Sequence, residues 1–195
     1  MAIHKTPVLT GTYRPLLGLR ETQRAIKTIK DEFETCLTEE LRLTRVSAPL
    51  FVPGGMGLND TLTGVEAPVT FRVKGMGDME IVQSLAKWKR MALGRYGFLP
   101  GEGLYTDMNA IRPQEEVDST HSIYVDQWDW ERVLRPQERT LETLKEVVRA
   151  IYQICLKTEA HISCVYPVLD QQLPEKITFV TAQELENEFP ALAPS

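Results

Sequence analysis

At 195 residues and 22.2 kDa, one domain with a proper buried core is expected, and 43% hydrophobic with 25% charged residues is ordinary globular usage. A net charge of −5 and a pI near 5.3 argue against a protein that holds nucleic acid by neutralising phosphates. No apolar run is long enough to cross a bilayer, and MAIHKTPVLTGTYRP lacks the apolar centre of a signal peptide, so Cys36, Cys155 and Cys164 read as reduced thiols of a cytoplasmic chain.

Residues 1–19 read as an arm, punctuated by Pro7, Gly11, Pro15 and Gly18. Over 20–40, Ile26, Ile29, Phe33 and Leu37 recur at three- and four-residue steps and predict an amphipathic helix. A short strand is expected over 43–48, stopped by Pro49. Residues 53–67, PGGMGLNDTLTGVEA, form a glycine-rich loop carrying Asp60 and Glu66. It is no phosphate loop, since no Gly-Lys-Ser/Thr closes it, but loops of this length are often binding elements. Its Asn59-Asp60-Thr61 matches a glycosylation acceptor, discounted in a chain without a signal peptide.

Val69, Phe71 and Val73 alternate into a strand, 75–78 makes a turn, and 79–82 returns. A helix is expected over 83–93, with Ser84 as its N-cap. Its cations Lys87, Lys89 and Arg90 point in different directions around a helix and cannot all serve one site. Strands are expected over 102–111 and 122–131. Arg112, at the end of the first, carries a guanidinium fork suited to a phosphate or carboxylate, or to a surface ion pair with Glu115 or Glu116. In the second, Ile123, Val125, Gln127, Asp129 and Glu131 share one face and Tyr124, Asp126, Trp128 and Trp130 the other. The row Gln127, Asp129, Glu131 suits either a solvated edge or the floor of a polar-ligand site, because buried polar groups need partners.

The longest helix is expected over 136–163, with Pro136 in its first turn and Leu141, Leu144, Val148, Ile151 and Cys155 as a core stripe. A short strand over 177–180 and a last helix capped by Thr181 complete the pattern. His4, His121 and His161 show no metal spacing, and no Ser-His-Asp or Cys-His nucleophile can be argued.

Several stretches together resemble the asparagine synthetase A family, the ammonia-dependent aspartate–ammonia ligases. They are SLAKWKR at 84–90, GEGLYT at 101–106, the Arg112–Glu116 loop, HSIYVDQWDWERV at 121–133, NDTLTG at 59–64 and QEL at 183–185. The likeness runs from about residue 20 to the end. It implies an α+β fold: an antiparallel sheet flanked by helices, like a class II aminoacyl-tRNA synthetase catalytic domain, over 20–195, with 1–19 outside it. The family's members are longer. The resemblance therefore covers their N-terminal part, and the C-terminal part with its motif 3 arginine is expected to be absent. A half sheet is expected to expose a strand edge and apolar surface. Gln83 stands where the resemblance leads one to expect histidine.

The resemblance implies AMP-forming amidation of L-aspartate with ammonia through a β-aspartyl-adenylate, using ATP and Mg2+, in a cytoplasmic homodimer that needs neither nucleic acid nor membrane. It puts Arg112 and Gln127 at the α-phosphate, Glu115 at the adenine amino group, Lys89 and Ser84 on the aspartate, Asp129 at its amino group, and Asp60 at the amino group or the incoming ammonia. A non-catalytic binding or dimerising module derived from such an enzyme is the alternative. A tRNA-charging enzyme fits poorly in an acidic chain without an anticodon-binding domain, and glutamine-dependent synthesis lacks a cysteine at position 2, which is Ala2.

Overall fold

The computed structural model describes residues 14–118 and 121–190; most of the N-terminal arm, with His4, lies outside them. Helix α1 (Leu19–Leu41) realises the expected stripe, with Ala25, Leu37 and Leu41 buried and Ile26 about half exposed. It leads through Arg42, in the left-handed region at φ 55°, into β1 (Leu43–Arg45). A strand that the sequence pattern did not suggest, β2 (Phe51–Pro53), pairs antiparallel with β4 (Gly77–Ile81), which also pairs with β3 (Thr70–Val73). The glycine-rich loop thus starts and ends on a small three-stranded sheet.

The larger sheet has the order β1-β5-β6, with β5 (Gly103–Ile111) and β6 (Tyr124–Arg132) joined by a nine-pair antiparallel ladder. The expectation of an antiparallel sheet holds for this ladder, while β1 runs parallel to β5. Gly103 is demanded by close packing at that junction: a Cβ there would lie 2.4 Å from the Glu131 carbonyl oxygen and 2.7 Å from Leu43 Cδ2.

Each face of the sheet carries its own core. One face packs Leu104, Met108, Ala110 and Val125 against α2 (Ala86–Tyr96) through Leu85, Trp88, Ala92 and Leu93. The other packs Tyr105 and Trp130 against Leu37 and Leu41 of α1 and Ile154 of α3 (Leu141–Val165). The alternation of β6 therefore sorts its residues as expected, and neither face is simply solvated. At roughly 25 cal/mol per Å² of apolar burial, these two clusters are the main favourable term of the fold.

Four local expectations are corrected. Helix α2 begins at Ala86, and its N-cap Leu85 makes no side-chain bond, so Ser84 is not the cap. The longest helix begins at Leu141, because Thr140 Oγ1 accepts from the Thr143 amide at 3.1 Å; Pro136 sits in a separate 3-10 turn. Leu141 and Leu144 are exposed, and the buried stripe is Ile154, Thr158 and Ile162, since α1 and the sheet meet the middle of α3 rather than its start. Residues 177–180 form no strand: Phe179 lies instead under the Lys145 and Arg149 cations. Thr181 does cap the last helix, α4 (Ala182–Glu188), accepting from the Glu184 amide.

Candidate active site

The polar row of β6 meets α2 at Lys89. The buried apolar side chains of α2 hold the helix flat on the sheet, and Lys89 crosses to β6 with only 4% of its surface exposed. Its ammonium donates to Asp129 Oδ1 and, at 2.9 Å, to the Trp130 carbonyl, and lies 3.6 Å from Glu131 Oε2. An ammonium has three donors: two are engaged by Asp129 and Trp130, and Glu131 adds an ion pair at a longer distance. Arg90 reaches Glu131 from the outside at 3.5 Å, which balances two carboxylates with two cations. Gln127, one step along the same face, makes only a weak bond to Met108 Sδ at 3.6 Å.

The glycine-rich loop is stapled to the start of α2. Asp60 Oδ2 accepts from the Lys87 amide at 2.8 Å, and Asp60 Oδ1 pairs with Lys87 Nζ at 3.2 Å. The N-terminal amides of a helix have no intrahelical acceptor and favour negative charge. A carboxylate from 27 positions upstream thus performs the capping expected of Ser84, whose carbonyl instead accepts from the Asp60 amide at 3.4 Å. Asn59 closes the staple, accepting from the Gln83 amide at 2.8 Å and donating to the Ile81 carbonyl at 3.1 Å.

A third group lies at the far end of the ladder. By the rise of a strand, the Arg112 end is roughly 20 Å from Asp129, the span of a two-part ligand. Arg112, Glu115, Gln114, Gln83 and Glu66 line a cavity of about 150 Å³ there. Arg112 forms no ion pair with Glu115 or Glu116 among the described residues, and its Nε is buried without a partner. Gln83 is 1% exposed, and neither its Oε1 nor its Nε2 has a partner. Leaving such a group unpaired costs on the order of 1–3 kcal/mol. Glu66 is the opposite case. It accepts from the Thr63 amide and hydroxyl, at 2.9 and 2.7 Å, and these bonds hold its carboxyl down at about 2.

Behind the sheet, Trp128 Nε1 donates to Glu34 Oε1 at 2.7 Å, and its ring stacks on Phe33 with centroids 4.4 Å apart. Burial, then a hydrogen bond to Asp107, raises the Glu34 carboxyl above its usual range.

These features belong with a known family. The family model described as aspartate–ammonia ligase matches residues 20–195. The aspartate–ammonia ligase of Ruminiclostridium cellulolyticum is 60% identical over 184 residues, covering 93% of this chain and 55% of the relative. That of Clostridium tetani is 56% identical over 187 residues, covering 95% and 55%. This chain belongs to the aspartate–ammonia ligase family. It spans about half the length of the curated relatives it matches. Among solved structures, it is similar to an Entamoeba histolytica asparaginyl-tRNA synthetase (TM-score 0.58, 12% identity, 87% of this chain, 35% of the other). It is also similar to a pyrrolysyl-tRNA synthetase of Desulfitobacterium hafniense (TM-score 0.52, 14% identity, 70% and 48%). The fold is that of the class II synthetase catalytic domains, as the family resemblance implied.

The residues singled out by the family's motifs therefore fall into three neighbouring groups: Lys89, Asp129 and Gln127; Asp60 and Ser84; Arg112 and Glu115. Two members of the site escaped the sequence pattern. Glu131 was visible in the polar row but not as the second anion on Lys89. Gln83 looked only like an isolated departure, because no local pattern reports that a side chain is buried and unpaired.

Proposed function

We propose that this chain supplies the nucleotide and amino-acid floor of an ATP-dependent aspartate–ammonia ligase. The observation that carries the reading is Arg112, whose buried Nε has no partner and whose side chain lines the same cavity as Glu115. An arginine fork aimed at a transferring phosphoryl group stabilises charge as it develops. In this reading Arg112 holds the α-phosphate and Glu115 accepts from the adenine amino group. Gln127 offers a neutral donor along the floor. Asp129 faces the amino group of aspartate, held in place by Lys89, and Lys89 and Ser84 flank the substrate. The aspartate side-chain carboxylate attacks the α-phosphate, pyrophosphate leaves, and ammonia then displaces AMP. Ammonium must lose a proton before it can attack, and Asp60 is the carboxylate assigned to that end.

Magnesium comes as the companion of the ATP phosphates, with its usual oxygen ligands and water. Among the described residues no three His, Cys, Asp or Glu side chains come together as candidate metal ligands. The free thiols Cys36, Cys155 and Cys164 support a cytoplasmic setting. The exposed Leu19 and Ile26, at 88% and 46%, support α1 as the face of a homodimer in this reading. No helix among the described residues is long and apolar enough to cross a membrane. The alternative, a non-catalytic module, calls for a covered sheet edge. The outer edge of β6 has no strand partner among the described residues, which counts against it.

The test is aspartate-dependent exchange of labelled pyrophosphate into ATP, which reports adenylate formation without ammonia. Exchange by this chain, alone or with the C-terminal half of a longer relative, supports the reading. No exchange in either condition overturns it in favour of the module.

A further inference from the structure

The reading above leaves one side chain of the Arg112 cavity without work. Gln83 sits between Val82 and Leu85, both fully buried, with its own carboxamide 1% exposed. Its position is fixed from two sides. The Gln83 amide donates to Asn59 Oδ1 at 2.8 Å, and the neighbouring Val82 carbonyl accepts from the Ile111 amide at 3.3 Å, one residue before Arg112. A glutamine that serves only packing has its carboxamide paired within the protein. Here both amide atoms are unpaired, and the side chain lines the cavity. A methionine of similar shape would fill the same volume without burying a polar group. The other polar groups of the cavity show what remains to be done. Glu66 is already committed to Thr63, whereas Arg112 Nε and Gln83 are not. The buried donors without a partner are thus Arg112 Nε and the Gln83 amide, lining one small space, a combination suited to the non-bridging oxygens of a phosphoryl group.

We propose that Gln83 is a further substrate-contacting residue of this site: its Nε2 donates to an oxygen of the nucleotide phosphoryl group that Arg112 holds, and its Oε1 accepts from an N–H or O–H donor of the bound substrates. The proposal deepens the ligase reading and rests on it. Arg112 brings charge and Gln83 brings direction, since an amide can donate to only one side while accepting on the other.

The experiment compares wild type with Gln83→Met and Gln83→Glu, following thermal unfolding with and without MgATP. The expected result has three parts. MgATP stabilises the wild type. Empty Gln83→Met melts no lower than empty wild type, because an unpaired amide has been removed, yet its apparent affinity for MgATP falls at least about ten-fold. Gln83→Glu loses the MgATP effect at neutral pH and recovers part of it at mildly acidic pH, where a protonated carboxyl regains a donor. A Gln83→Met protein that keeps the wild-type MgATP response overturns this inference alone. So does one that melts well below wild type when empty, because the amide is then a structural group. A wild type indifferent to MgATP overturns the nucleotide reading of the cavity and this inference with it.

Discussion

Two polar regions of the sheet surface, set at opposite ends of the β5–β6 ladder, differ in one respect. Around Lys89 the charges are matched within the protein: one ammonium meets two carboxylates and a carbonyl, with Arg90 flanking. Around Arg112 the donors are left over. Satisfied polar clusters hold an architecture together, whereas unsatisfied ones store the interactions that a ligand completes. Removing a member of the first is therefore expected to cost stability, and removing Arg112 to cost binding with little loss of stability, although both lie on one strand pair.

The largest effect that separates them is expected at Lys89. Lys89→Ala leaves Asp129 and Glu131 beside each other with no buried cation, and the loss should be about 3–5 kcal/mol in urea unfolding. A loss below about 1 kcal/mol would erase the distinction. Arg112→Ala should do the reverse. In a complete enzyme it should remove about 3 kcal/mol of transition-state stabilisation, read as kcat/KM. Its unfolding free energy should stay within about 0.5 kcal/mol of wild type. Wild-type turnover in that variant would remove Arg112 from the reaction.

Asp60→Ala probes the seam between loop and helix. Loss of the carboxylate on the Lys87 amide should cost about 1 kcal/mol, the range of a lost helix cap, and Asp60→Asn should recover part of it. If Ala and Asn behave alike, the carboxylate does not cap α2.

The smallest effect concerns the back of the sheet. The Glu34 carboxyl is raised by burial and by Asp107, so the folded protein holds its proton more tightly than the unfolded chain does. Its stabilisation is complete below the unfolded value of about 4.5 and is lost as pH rises through the raised folded value. Glu34→Gln, which can still accept from Trp128 Nε1, should flatten that decline without disturbing the Phe33–Trp128 stack. Stability-versus-pH curves of the two proteins provide the check, and unchanged curves would assign the decline to another group.

Much of this was readable along the chain because the signals are local. The stripe of α1 and the alternation of β6 follow from helical and strand periods, and Thr181 caps α4 through a residue three positions away. The motif runs led to the family, whose model matches 20–195. Where local signals misled, a distant contact had taken over. Ser84 has the chemistry of a cap, but Asp60 arrives from the loop and takes the role. Leu141 and Leu144 keep the helical period, but no element among the described residues covers them, and they are exposed.

The sequence by itself determined most of the elements and their order, the two faces of β6, the family, and most of the residues of the candidate site. Tertiary structure alone decided which of those residues are already satisfied. Pairing and burial depend on atoms brought together from distant positions, 40 apart for Lys89 and Asp129. Helical periodicity can say which way Lys89 points, and no local pattern reports on Gln83. Only packing decides that the first meets two carboxylates while the second, equally buried, is left with both its polar atoms unpaired.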